Sequence, residues 1–109
     1  MKNLAVLGAT GSIGKSTLNL VRNDPDNFNV FSMVANSNVT DMESLTHEFS
    51  PNVVVMNEPA AAKQLREKLN VEVREGFDGI YSAVTDERID IVVAGIVGYA
   101  GLPSILLAI

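Results

Sequence analysis

Cysteine is missing altogether from the 109-residue sequence, which removes disulfides, a thiol nucleophile and cysteine-ligated metal from consideration. Long apolar runs are missing too. None reaches the roughly 18 residues that a membrane span needs, and Met1–Asn3 leads straight into a strand-like run without the succession of segments that marks a signal peptide. The expectation is a cytoplasmic protein with no membrane partner. Basic clusters are equally absent: the net charge of −5 is spread along the chain, which argues against nucleic acid as a partner. Charged residues make up only 19%, against 47% hydrophobic residues and 8 glycines. This balance suits one compact α/β domain over residues 1–109 rather than a disordered chain.

What is present is a regular alternation of buried strands and amphipathic helices. Leu4, Ala5, Val6 and Leu7 run without polar interruption, as a strand covered on both faces does. A helix from about Ile13 to Arg22 follows, with Ile13, Leu18, Leu20 and Val21 as its apolar residues and Asn23, Asp24 and Pro25 as its stop. Phe28–Ala35 is the second strand. Thr40 and Glu43 have capping-box spacing and open a helix through Phe49, closed by Pro51. Val53–Met56 is a third strand, Glu58–Leu69 a third helix and Val71–Val73 a short edge strand. Gly76 starts a weaker helix through Val84, and Ile89–Val97 is the most apolar strand. Gly98, Gly101 and Pro103 suggest a second glycine-bearing turn, after which Leu102–Ile109 reads as a helix with no stop signal. That missing stop predicts a truncated chain.

The first strand-to-helix turn, GATGSIG, carries the chemistry. Gly8, Gly11 and Gly14 read as a dinucleotide fingerprint spaced GxxGxxG: one glycine for the tight turn, one for approach of a pyrophosphate, one for helix packing. The backbone N–H groups of Thr10 to Ile13 then face phosphates at the positive end of the helix dipole. A competing reading takes Ala9–Ser16 as an incomplete P-loop, with Gly14, Lys15 and Ser16 in place. Against it, Ala9 replaces the first glycine, Ile13 is bulky, and neither Val53–Met56 nor Ile91–Ile96 ends in a magnesium-holding Asp. A purely structural glycine turn is the third possibility. The first two readings separate on Lys15→Ala, which is expected to be nearly silent in a dinucleotide site and to abolish magnesium-dependent ATP binding in a P-loop.

At the end of strand two, Ala35 is followed by Asn36, Ser37 and Asn38. An NAD site usually has a carboxylate there, which would repel a 2′-phosphate; its absence and the available donors favour NADPH. No acid, base or metal site is evident elsewhere. His47 falls on a polar helix face, the carboxylates lack metal-ligand spacing, and neither Tyr81 nor Tyr99 has a Lys four residues on.

Taken in order, LAVLGATGSIGKSTLNLV, the Asn23–Phe28 segment, ANSNV, FSPNVVVMNEPAA and VVAGIVGYAGLPSILLAI resemble the N-terminal part of the 1-deoxy-D-xylulose 5-phosphate reductoisomerase family. The resemblance implies a Rossmann-like doubly wound parallel sheet, truncated after about five strands in the order 4-3-2-1-5. It implies that Thr10, Gly11, Ser12 and Ile13 contact the NADPH pyrophosphate and that Asn36, Ser37 and Asn38 hold the adenosine ribose phosphate. Ala94, Gly95, Ile96 and Val97 would approach the cofactor from the neighbouring strand. Ser37 departs from members with a basic residue there. In the complete enzyme the family further implies a divalent metal, Mn or Mg, a sugar-phosphate substrate and a homodimer, with the metal ligands and catalytic residues beyond Ile109. A non-catalytic NADP-binding sensor or a semialdehyde-dehydrogenase-like cofactor domain would look alike over this region. The fifth strand would be an exposed apolar edge, and the chain would self-associate through it.

Overall fold

The computed structural model describes residues 1–94 and the backbone of 105–108. Six strands form one sheet in the order β4-β3-β2-β1-β5-β6: β1 Lys2–Leu7, β2 Phe28–Ala35, β3 Val53–Met56, β4 Glu72–Glu75, β5 Ile91–Ala94 and β6 Ile105–Ala108. The first five are parallel neighbours, and β6 runs antiparallel to β5. Among the described residues four helices connect the first five strands: α1 Ser12–Asn23, α2 Val39–Phe49, α3 Pro59–Lys68 and α4 Gly76–Val84. Strands feeding helices in this way form parallel neighbours, and the apolar runs that suggested two covered faces are indeed buried.

Leu4 and Val6 of β1 point into a core with Leu18 and Val21 of α1, Met42 of α2 and Leu65 of α3. Ala5 and Leu7, alternating to the other face, pack in a second core with Phe31, Val55 and Ile80 and Ala83 of α4. A bulge in β2 interrupts that alternation: Leu4 pairs with Val30 but Ala5 with Ser32, leaving Phe31 as the extra residue. Beside it, the Ser32 hydroxyl is fully buried and has no hydrogen-bond partner among the described residues. At the entry to β5, Asp90 accepts from the Asn3 backbone N–H at 2.7 Å and its own N–H donates to the Asn3 carbonyl at 2.8 Å, fixing β5 against β1.

Several sequence expectations are corrected. Residues 105–108 form β6 where a helix was expected, and β6 covers the outer edge of β5 that was expected to be open. Leu and Ala favour helix locally, but an unpaired row of backbone groups along β5 offers an antiparallel ladder, and satisfying it overrides propensity. The expected second glycine turn, and the rest of the expected final helix, lie outside the described residues. In α1, Gly14, Leu18 and Val21 share the buried face; Leu20 and Ile13 are exposed, 67% and 42%, because steps of 100° per residue carry them off that stripe. The capping box also gives way: α2 begins at Val39, and the Asn38 side chain caps it by accepting from the Asp41 N–H at 3.1 Å. Thr40 is already inside the helix.

Candidate functional site

The chain leaves β1 toward β2 on one side and returns as β5 on the other, so the carboxyl ends of β1 and β5 flank a topological switch point. Such points leave a crevice where ligands bind in open α/β sheets. Leu7 and Ala94 are register partners there, and Gly8 begins the loop above them.

That loop is short and tightly held. Gly8 has φ +73°, a left-handed conformation that suits glycine. The N–H groups of Gly8 and Ala9 both donate to the Val34 carbonyl, at 2.8 and 2.9 Å, tying the loop to β2. Gly11 donates to the Gly8 carbonyl at 2.9 Å, and Lys15 N–H reaches the Gly11 carbonyl at 2.9 Å, closing the first turn of α1. Gly14 is required by packing: a Cβ there would stand 2.1 Å from the Gly8 carbonyl oxygen and 2.7 Å from Ala9 Cα. Gly11 differs. Its φ of −87° and ψ of 177° suit any residue, and a Cβ would meet only the Gly8 oxygen at 3.4 Å, an ordinary contact. Neither strain nor internal crowding asks for glycine at position 11, which leaves room for something to approach from outside.

The electrostatics agree. Gly11 as N-cap offers no side-chain acceptor, and the first turn of α1 holds no acid. The N–H groups at the start of a helix have no intrahelical acceptor, and the dipole adds about half a positive charge. Ser12 and Ile13 are exposed beside them and Thr10 is half-buried. Backbone donors without acceptors, free of nearby acid within the first turn, make this helix start a candidate cradle, with the chemistry that an anion would meet favourably.

The P-loop reading does not fit this geometry. In a P-loop the phosphates are wrapped by backbone before the helix starts; here α1 already begins at Ser12, with Gly14 packed inside it. Lys15 Nζ lies 3.0 Å from Asp41 Oδ2.

Asn36, Ser37 and Asn38 form the exposed turn beyond β2, beside the cradle because β1 and β2 are neighbours. Its base is fixed by the β3–α3 connection: Asn57 N–H donates to the Ala35 carbonyl at 2.9 Å and Glu58 N–H to the Asn36 carbonyl at 3.0 Å. Asn57 Nδ2 adds a bond to Asn36 Oδ1 at 3.1 Å. The turn itself carries no acid, but the nearest carboxylate is one helical turn on: Asn38 Nδ2 donates to Asp41 Oδ2 at 3.1 Å. Asp41 and Asn57 are residues that sequence reasoning missed, and Lys15, weighed there only as part of a P-loop, is joined to Asp41. The signal available was weak: exposed polar positions in the first turn of a helix or just past a strand.

Of the residues expected on the β5 side, Ala94 ends that strand and is buried; Gly95, Ile96 and Val97 lie outside the described residues. His47 is exposed, away from the cradle near the C-terminal end of α2. Among the described residues no three His, Asp or Glu side chains gather as metal ligands, and no helix is long and apolar enough to cross a membrane.

A family model described as 1-deoxy-D-xylulose 5-phosphate reductoisomerase matches residues 4–109. The chain belongs to that reductoisomerase family. A reductoisomerase from Shewanella pealeana is 43% identical over 113 aligned residues, which cover 100% of this chain and 28% of that protein. One from Tolumonas auensis is 44% identical, again over 100% of this chain and 29% of the relative. The chain thus spans under a third of the length of the curated relatives it matches. Among solved reductoisomerases, a crystal structure of DOX-P reductoisomerase in complex with NADPH, fosmidomycin and magnesium superposes with a TM-score of 0.87 at 37% identity. It covers 94% of this chain and 26% of the solved one. The Zymomonas mobilis reductoisomerase in complex with NADPH gives 0.75 at 33% identity, over 80% of this chain and 24% of that one.

Proposed function

We propose that this chain is the NADPH-binding part of a reductoisomerase that converts 1-deoxy-D-xylulose 5-phosphate to 2-C-methyl-D-erythritol 4-phosphate in non-mevalonate isoprenoid biosynthesis. The observation that carries the reading is Gly11: an unobstructed glycine at an uncapped helix start, on the switch point of a sheet with this family's fold. Solved relatives of the same fold are in complex with NADPH, which supports the same ligand here.

In this reading Gly8 holds the turn, and Gly11 lets the pyrophosphate come close to the N–H groups of Ser12 and Ile13, with Thr10 at the rim. Gly14 keeps α1 packed so that those groups stay aimed. Asn36 Nδ2 and the Ser37 hydroxyl, with Asn38 behind them, orient the adenosine ribose and its 2′-phosphate. Ala94, Gly95, Ile96 and Val97 flank the cofactor from β5 onward. Bound NADPH supplies the hydride that reduces the rearranged substrate. A divalent metal belongs to the same proposal for the whole protein, as magnesium does in a solved relative. The described residues contain no ligand set that fits it, and none of their roles depends on it. The sugar-phosphate substrate and a homodimer likewise belong to the whole protein. NADPH is a charged nucleotide that does not cross membranes unaided, and this supports a cytoplasmic location.

Fluorescence or calorimetric titration of the full chain with NADPH and NADH tests the cofactor assignment. Tighter binding of NADPH is expected; equal affinities remove the role given to residues 36–38, and no binding removes the cofactor platform. Grafting residues 1–109 in place of the matching part of the Shewanella pealeana relative tests the rest. The chimera should oxidise NADPH only when 1-deoxy-D-xylulose 5-phosphate is added, and a folded, NADPH-binding chimera inert to that sugar phosphate argues against the assigned reaction.

A further inference from the structure

We propose that Lys15 and Asp41 together set the preference of this site for a 2′-phosphorylated cofactor, Lys15 being the cation that the 36–38 turn itself lacks. The inference rests on the cofactor reading above and adds to it the device that fixes selectivity.

The turn after β2 offers two amides and a hydroxyl but no positive charge. Immediately behind it, the Asp41 carboxylate accepts from Asn38 Nδ2 at 3.1 Å. Left alone, a carboxylate in that place opposes a phosphate of nearly two negative charges. It is not left alone. Lys15, from the first turn of α1, holds the same carboxylate oxygen at 3.0 Å, so one ammonium bridges the helix that starts at the pyrophosphate cradle and the helix that starts at the ribose turn.

Among the described residues Asp41 is the one side chain that Lys15 Nζ holds, and the role assigned to Lys15 replaces the expectation that Lys15→Ala is nearly silent in a dinucleotide site. The Lys15 side chain is 54% exposed and that of Asp41 38%, so the pair is a weak tether in water rather than a buried brace. A lysine carries three donors on a flexible stem; Lys15 can keep Asp41 on one donor and give another to a phosphate oxygen, or move to the phosphate entirely. A phosphate of nearly two negative charges attracts the ammonium more strongly than a carboxylate of one does. Asp41 then acts as a gate on charge: neutralised when the 2′-phosphate is absent, and in competition with it for Lys15 when it is present. Two opposite substitutions therefore have opposite effects, which a purely structural link does not produce.

The test measures dissociation constants of NADPH and NADH, and of 2′,5′-ADP and 5′-AMP, for the full chain and its Lys15→Met, Asp41→Asn and double variants. Circular dichroism and melting report the fold. Lys15→Met is expected to weaken NADPH and 2′,5′-ADP by about tenfold, while NADH and 5′-AMP change less than about twofold. Asp41→Asn is expected to tighten the 2′-phosphorylated ligands by about threefold, by removing the competing charge. The double variant should fall between. Three results overturn the inference. A chain that prefers NADPH with a ratio untouched by either substitution leaves the cofactor reading standing without it. Loss of all four ligands in parallel with a lowered melting temperature marks a structural brace. A parent chain that binds NADPH and NADH equally, or neither, brings down the cofactor reading and this inference with it.

Discussion

Replacing Gly11 and Gly14 by alanine, one at a time, separates ligand approach from internal packing. At Gly14 the new Cβ would lie 2.1 Å from the Gly8 carbonyl oxygen and 2.7 Å from Ala9 Cα. Both obstacles are backbone, and Gly8 and Ala9 are pinned to the Val34 carbonyl, so neither can step aside without breaking the loop from β2. Overpacking of this kind costs about 3 kcal/mol or more, a large share of the roughly 5–15 kcal/mol that holds a domain together. The melting temperature should fall by roughly 15 °C or the chain fail to fold. At Gly11 the backbone is already extended and the nearest obstacle is at 3.4 Å. Alanine is a poorer N-cap than glycine by under about 1 kcal/mol, while the stiffer unfolded chain returns about 0.4–1 kcal/mol. The net change is close to zero. NADPH affinity should nevertheless fall by about tenfold or more, because the added methyl occupies the line of approach to the helix start. Thermal melts and cofactor titrations on the two variants read both quantities. A Gly11→Ala chain that binds NADPH as well as the parent, or a Gly14→Ala chain that melts with it, would refute the argument.

Other outcomes follow from the same geometry. Ser32→Ala removes a buried hydroxyl that has no partner among the described residues and should raise stability by about 1 kcal/mol, visible as a higher urea midpoint; a lower midpoint would reveal a bound water that the hydroxyl satisfies. The Asp86 carboxyl, held by side-chain hydrogen bonds from Arg88 and by the Arg88 backbone N–H, is lowered from 3.8 to about 2. A depressed carboxyl stabilises the fold above its unfolded value and loses that contribution as pH falls through the folded one. Urea midpoints should therefore decline between about pH 4 and 2 more steeply in the parent than in Arg88→Met; superposable profiles would remove Asp86 from the acid response. β6, with the sequence Ile105–Ala108, is an apolar strand at one end of the described sheet and carries no charge to guard its outer row of backbone groups. Sedimentation should show association rising with concentration, and a single monomer boundary at high concentration would show that this edge is covered.

Much of the fold was legible because its signals are local. The unbroken apolar runs at Leu4–Leu7 and Val53–Met56 announce strands buried on both sides, and the polar punctuation at 23–25 and 36–38 marks where elements end. The order of the first five strands came with the family resemblance, and it agrees with the small number of ways in which βαβ units pack. The cradle was legible for the same reason. A strand, three spaced glycines and a helix in succession impose their geometry over a dozen residues, and the structure adds which glycine is crowded and which is open.

Where the sequence misled, a distant part of the chain decided. Leu and Ala at 105–108 favour a helix in isolation, yet the open ladder of β5 converts them into a strand. Lys15 and Asp41 are 26 residues apart, and nothing in either neighbourhood predicts that they meet. Their contact exists because β1 and β2 lie side by side and aim α1 and α2 from adjacent strand ends. The α/β class, the glycine-bearing strand-to-helix turn and the family could all be read from local stretches of residues. The charge beside the 36–38 turn and the β6 partner of β5 came from the folded chain alone, because both depend on which strands become neighbours, and that follows from burial across the whole sheet rather than from any local run of residues.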